Sequence, residues 1–433
     1  MPSLDHDVPA HVPIRTARTA RRRTAAVTLA VAATVAIGGQ AMTAQAAAPP
    51  DRITLSPTAT PSTSQTITWR TGTDAPSLAQ HEPVAGGSAV TTEGSTTGEA
   101  GGGTYHRATL EGLRPGTAYR YRVGDGETWS PWTEFTTAGA AGEPFRFLYF
   151  GDVQNNITAG AAPVIRAAYD AVPDAKVAVH AGDLINDADD DGQWGEWFAA
   201  QGERSASVNH IAAIGNHEYD SWDVSGHWNL QFPGTGNGPG DDDLDDTVWY
   251  TDYQGVRFIA LNSNYTNAPW FDVHDWMEDQ EAWLEDVLAD NPNRWTVVAF
   301  HQPVFANSSG RTGIVVREYW LDVFEEHDVD LVLQGHDHSY GRGNLRSNHV
   351  DEHSHTGPVY TVAVTGPKFY DPVTTDWRAG GAEVRAQHGE TQTYQVVSVT
   401  DDELTYEART ADGTVVDAFT VDTSQGTKVV SDR

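Results

Sequence analysis

Five apolar runs in this chain end in residues that can bind a cation or move a proton. The last, V-D-L-V-L (Val329 to Leu333), leads into G-H-D-H-S-Y-G-R, Gly335 to Arg342. Side chains alternate faces along an extended backbone, so His336 and His338 project to one side at the end of a buried strand, and Asp337 points away. Gly335 lets the backbone pass close to an ion. Upstream, F-R-F-L-Y-F-G-D-V-Q presents Asp152 and Gln154, V-A-V-H-A-G-D presents Asp183, I-A-A-I-G-N-H-E presents Asn216 and His217, and T-V-V-A-F-H presents His301. Two aspartates, an asparagine and three histidines are too many donors for one ion and suit two. The two oxygens of Asp183 can bridge ions held about 3.5 to 4 Å apart. Asp152 and His338 would complete one side, and Asn216, His301 and His336 the other. Asn216 is neutral, which leaves its ion more net charge for a phosphate oxygen. Hydroxide held on such ions is available near neutral pH, and in-line attack on phosphorus follows. His217, beside a ligand, is placed to steady the phosphoryl group or protonate the departing oxygen.

The elements that must position these groups alternate between strand and helix after a small-residue linker, Thr137 to Pro144. Phe145 to Phe150, Val177 to His180, Ile211 to Ile214, Val256 to Leu261 and Trp295 to Phe300 read as buried strands. Gly160 to Ala171, Asp275 to Asp290 and Val315 to Glu326 have helical spacing. Three late strands, Thr393 to Thr400, Glu403 to Arg409 and Val415 to Val421, are expected to complete or extend the second sheet. The expected fold is α/β, an αββα sandwich with its ligand loops at one sheet end. Before it, short strands divided by Gly, Ser and Thr turns run from Pro50 to about 138. Within them Arg107 to Val123 resembles the fibronectin type III pattern, with Leu113, Pro115 and Tyr119 placed as in a tyrosine corner. This predicts a small all-β sandwich in which Trp69, Trp129 and Trp132 serve packing.

The 433 residues carry 27 Lys+Arg against 60 Asp+Glu, a formal charge of -33. Such a surface repels nucleic acid and anionic membranes, so a phosphate-bearing substrate must be drawn in by local positive charge, which bound metal ions supply. There is no cysteine, which excludes disulfides and thiolate metal sites. Arg21 to Arg23 precede an Ala- and Val-rich run, Ala25 to Ile37, and Ala44-Gln45-Ala46 offers small residues for cleavage. The run is short for a membrane span, so residues 1–46 read as a removable signal peptide, by the general or the twin-arginine route. Its loss would leave a secreted or surface-held protein with no stable span. The expected parts are then residues 1–46, the β-sandwich at 50–138, the catalytic unit at 144–422 and a tail at 423–433. Nothing in the sequence sets the oligomeric state.

The ordered motifs G-D-V-Q, G-D-L-I-N-D, G-N-H-E, F-H-Q-P and G-H-D-H resemble the calcineurin-like metallophosphoesterases, and the preceding β-domain makes the chain most similar to purple acid phosphatases. The resemblance runs from about Pro50 to Val421. It implies a dinuclear centre with the ligand division above and hydrolysis of a small phosphate ester, acid-phosphatase-like. Two departures bear on the metals. Purple acid phosphatases carry a tyrosine three residues after the bridging aspartate, where this chain has Asn186, and many relatives have D-x-H in the first motif, where it has Asp152-Val153-Gln154. Gln154 and Asn186 are therefore candidates for coordinating a metal or hydrogen-bonding a ligand, and Fe, Mn and Zn are all admissible. Arg311, Tyr340 and Arg342 are candidates for contacting substrate. The acidic turns at Asp189 to Asp191 and Asp241 to Asp246 lack the spacing of a calcium loop, and His180 and His210 read as interior histidines. The same ligands would also serve a phosphodiesterase or nucleotide-cleaving hydrolase, and a non-catalytic surface-binding protein is the reading from outside enzymology.

Overall fold

The structure, a computed structural model, describes residues 48–267 and 273–433; the expected signal peptide lies outside them. Three parallel strands, Phe145–Phe150, Val177–Ala181 and Asn209–Ala213, form the centre of one sheet. Three more, Val256–Ala260, Trp295–Ala299 and Leu331–Gln334, form the centre of a facing one. Each is a run of buried β-branched, aromatic and small residues, as a strand covered on both faces requires. Between the sheets lies a core that includes Phe147, Val179, Phe258, Val297 and Leu333. The helices Ala162–Ala171 and Asp191–Gln201 cover the outer face of the first sheet through Ile165, Trp194 and Trp197. The outer face of the second is covered by the helix Val273–Ala289, whose Trp276, Met277 and Leu284 share one buried side at helical spacing, and by the segment around Trp320 and Phe324. The result is the four-layer αββα arrangement, with all five ligand-bearing strand ends on one edge.

The late strands sit elsewhere than expected. Tyr394–Val399 pairs antiparallel with Phe145–Phe150, and Glu403–Arg409 and Val415–Asp422 add beyond it, so they extend the first sheet and not the second. Their alternation predicted strands, but a period of two does not say which open edge will be met. Residues 423–433 are likewise no free tail: Val429–Asp432 pairs with Val415–Asp422, and Val430 is buried.

The N-terminal strands form a sandwich around Leu55, Ile67, Trp69, Tyr119, Tyr121 and Phe135. The Tyr119 hydroxyl accepts the Arg114 N–H at 3.0 Å, which closes the tyrosine corner. One layer of this sandwich continues the first catalytic sheet, through the parallel pairing of Leu55 with Asn209. Arg52 and Arg70 bond Asp191 across the junction, at 2.7 and 3.2 Å. Trp69 is core, as expected, whereas Trp129 and Trp132 pack on the Arg122 guanidinium and Trp132 is partly exposed.

Candidate metal centre

Six of the candidate ligands converge from five strand ends. Asp183, His301 and His336 form one group able to hold an ion, and Asp152, Asp183 and His338 form a second, so Asp183 is common to both. Asp152, Asp183, His336 and His338 all take positive φ, at 41, 53, 74 and 44°. Left-handed backbone at non-glycine residues costs about 1–3 kcal/mol each and persists where the surroundings enforce it. Here the turn directs the side chain off the strand end into the shared space. Gly335 allows the last strand to close on the others, since a Cβ there would stand 2.8 Å from the Ala181 carbonyl and 2.9 Å from Asp152 Oδ2.

In the His301 group, Nδ1 of His301 donates to the Ala181 carbonyl at 2.8 Å, which turns the Nε2 lone pair inward. Around that nitrogen, each at 3.1 Å, stand Asp183 Oδ2, Asn216 Oδ1 and His336 Nδ1. Lone pairs outnumber protons there, and a positive species must sit among them. Burial opposes protonation of His301, but the Asp183 carboxylate outweighs it and raises the imidazole to about 9. Asp183, despite its own burial, is held well below the ordinary carboxylate range by His301 and by the side chain and backbone N–H of His217.

The Asp152 group is less satisfied. Both Asp152 oxygens, Gln154 Oε1 and His338 Nδ1 are buried without a partner. Burial drives Asp152 well above its usual range, and the Asp183 charge adds to that. Burial, followed by the nearby Lys368 ammonium, lowers His338 to about 3. Unpartnered carboxylate oxygens at zero exposure are costly unless a cation lies among them. The donor set, carboxylate, imidazole and amide oxygen, fits two divalent or trivalent ions.

The remaining candidates separate. Gln154 reaches the centre, with Nε2 donating to Asp183 Oδ2 at 2.6 Å and lying 3.3 Å from His338 Nε2. Asn186 is turned aside: its side chain bonds Asn155 and Asp187, and only its carbonyl serves the site, accepting His217 Nδ1 at 2.6 Å. The His217 backbone N–H donates to Asp183 Oδ1 at 3.0 Å. Arg311 approaches from the following loop, bonded to the His336 carbonyl and Asp337. Tyr340 and Arg342, expected as candidates for contacting substrate, face away from the centre and are buried. They point into the interior, where Tyr340 donates to Asp417 at 2.7 Å and Arg342 is paired with Asp417 and Asp432. On the strand Tyr340–Leu345 they fall on the face that packs against the late strands.

Sequence reasoning missed the groups that hold the loops. Glu218 is fully buried, and its carboxylate accepts N–H from Asp183 at 2.9 Å, Leu184 at 2.7 Å and Gly215 at 2.7 Å. Burial and then the Asp183 charge raise it to about 7. Asp337 pins the next loop through the Asn307 and Ser308 N–H groups. A sixth strand end, Asn262-Ser263-Asn264, bonds the His301 and Gln302 N–H groups through Ser263 and the Ile214 carbonyl through Asn264. Its signal was present, an apolar run ending in three polar residues after Leu261.

Comparison with known proteins places this geometry. Residues 50–137 match the family model of the purple acid phosphatase N-terminal domain, and residues 145–340 match that of the calcineurin-like phosphoesterases. The chain belongs to the calcineurin-like metallophosphoesterases, in the purple acid phosphatase-like arrangement, and is a metal-dependent phosphoester hydrolase. It is 27% identical to acid phosphatase type 7 of Mus musculus over 72% of this chain and 77% of that one. Against acid phosphatase type 7 of Homo sapiens it is 29% identical over 55% of this chain and 56% of the human one, so it spans little more than half of that relative. A purple acid phosphatase from yellow lupin (Lupinus luteus) seeds shares the fold, with a TM-score of 0.71 at 20% identity over 86% of this chain and 74% of that one.

Proposed function

We propose that the protein is an exported phosphomonoesterase whose centre holds two ions, drawn from Fe, Mn and Zn, between the groups that share Asp183. The observation that carries this reading is that sharing, because a single bridging carboxylate with an acceptor-rich group on each side is what a pair of cations needs. Bound there, the ions would hold a phosphate oxygen and bring the pKa of water toward neutrality. The chain's own residues do the rest. Asp152 and His338 would hold one side, Asn216, His301 and His336 the other, and Gln154 donates a hydrogen bond to Asp183 that orients its carboxylate. With Nδ1 of His217 committed to the Asn186 carbonyl, Nε2 is the atom left to meet the phosphoryl group or, as imidazolium, to give a proton to the departing oxygen. Arg311, bonded to the carbonyl of the ligand His336, would be the cation that contacts the substrate from the rim. Asn186 supplies no phenolate, so the loaded protein is expected to lack the visible band of a tyrosinate-bound ferric ion. The β-sandwich at 50–138 acts as a packed support.

The test is elemental analysis of the mature protein alongside hydrolysis of mono- and diester chromogenic substrates. About two metals per chain with faster monoester turnover is expected. Equal or faster diester turnover would make it a phosphodiesterase, and less than one metal with no hydrolysis would remove the reading altogether.

A further inference from the structure

The segment after the strand Val359–Val362 is tied to both ends of the Asp152 group. Thr365 N–H donates to the Gly151 carbonyl and Gly366 N–H to the Asp152 carbonyl, each at 2.7 Å, while Tyr370 N–H donates to the His338 carbonyl at 3.1 Å. A Cβ on Gly366 would stand 2.5 Å from the Gln154 carbonyl and 2.6 Å from that of Asp152, so this backbone is seated directly on the first ligand loop. Midway between the anchors is Lys368, one of only three lysines in the chain. Its ammonium lies 5.4 Å from the centroid of the Tyr370 ring, and the Arg311 guanidinium lies over the same ring at 5.0 Å. The ring meets His338 edge-on, with centroids 4.9 Å apart. Arg311 is partly neutralised by Asp337. Lys368 has no ion pair or side-chain hydrogen bond among the described residues, although the chain carries 60 carboxylates.

An uncompensated ammonium beside positions that are to hold two cations is repelled by them. Lys368 is only partly buried and so stays solvated, but the charge it adds beside Arg311 on the Tyr370 ring is offset by no carboxylate and would be met by an anion bound there, since the ions would take the scissile phosphoryl oxygens. We propose that Lys368, with Arg311, forms a subsite for a second anionic group on the substrate, so that the preferred substrates are phosphoesters whose leaving group is itself negatively charged. This rests on the phosphoesterase reading above and adds to it the class of leaving group. In the reaction water adds to phosphorus, the bond from phosphorus to the leaving oxygen breaks, and that oxygen departs with a proton, its attached anion held by Lys368.

The experiment compares phenyl phosphate with 4-carboxyphenyl phosphate, which differ by one carboxylate, on the metal-loaded full chain. The ratio of kcat/KM, carboxylated over plain, should be about tenfold above one in the wild type and fall about tenfold in Lys368→Met and in Lys368→Gln, while Lys368→Arg keeps it. A ratio that does not change in either neutral variant overturns the proposal. So does a wild-type ratio at or below one. Hydrolysis of neither compound by the wild type, with metal bound, overturns the phosphoesterase reading and the subsite with it, an outcome distinct from the first two.

Discussion

His301 and His336, at strand ends of the second sheet, meet with ring centroids 4.9 Å apart, and His180 and His210, on strands of the first sheet, meet at 5.2 Å on its outer face. Each pair shares one short nitrogen–nitrogen contact, 3.1 Å in the first and 2.9 Å in the second. All four side chains are mostly or wholly buried, yet their chemistry differs. Nε2 of His301 faces a carboxylate, an amide oxygen and a second imidazole, and it is held near 9. His180 and His210 face Phe150 and Trp197, and burial pushes His210 down to about 4 and His180 well below the usual imidazole range. The contrast teaches that burial and contact do not make an imidazole a ligand. An excess of acceptors over protons does, and the shared carboxylate supplies it.

Removing that carboxylate is the strongest way to break the contrast. Asp183→Asn should empty both ion positions together and reduce turnover well beyond the about hundredfold that changes behind a ligand produce. Elemental analysis and phenyl phosphate hydrolysis read it, and retention of one full equivalent of metal would show that the two groups do not depend on a common carboxylate. His217→Ala sharpens the point from the other side. His217 neighbours the ligands but offers only its backbone N–H to Asp183, so turnover should fall about a hundredfold with metal content intact. A variant that also lost its metal would move His217 among the ligands. Next in size is Glu218→Gln, which puts an amide donor where Asp183, Gly215 and Leu184 N–H groups converge. Metal affinity, followed by titration of the stripped protein, should weaken about tenfold.

The ligands were legible because each closes an apolar run with a residue that has no business at the end of a buried strand unless something binds it. His336 and His338 were readable as ligands together with the four upstream motifs, although the extended alternation expected there gives way to left-handed backbone at both, and the interior character of His180 and His210 was readable from their place ahead of the motifs on buried strands. What the sequence left open was relational. Tyr340 and Arg342 sit as close to the double-histidine motif as Arg311 does in the fold, but facing Asp417 and Asp432, residues about eighty positions away. Glu218 was in view within G-N-H-E, and its role depended on Asp183 folding back over it. The late strands announced themselves by period, while their partner was decided by which sheet edge lay open at Phe145–Phe150.

The smallest effect lies in the pair outside the centre, and it tests whether that pair is as inert as the contrast requires. An unfolded imidazole titrates near 6.5, whereas burial lowers His210 in the fold to about 4 and lowers His180 as well. Between those values the unfolded chain takes up protons that the folded chain refuses. The contribution to stability is therefore complete above about pH 6.5 and is lost as pH falls toward 4, with a limiting slope of about 1.4 kcal/mol per pH unit for each imidazole. Replacing His210 by Gln should remove one imidazole's share of that slope, leave metal content and turnover unchanged at neutral pH, and show in thermal unfolding measured from pH 7 to pH 4. Parallel wild-type and variant curves would mean that the His180–His210 pair takes up a proton in the fold. Loss of metal in the variant would mean that the outer face of the first sheet is coupled to the centre through the Val177–Ala181 strand, whose Ala181 carbonyl orients His301.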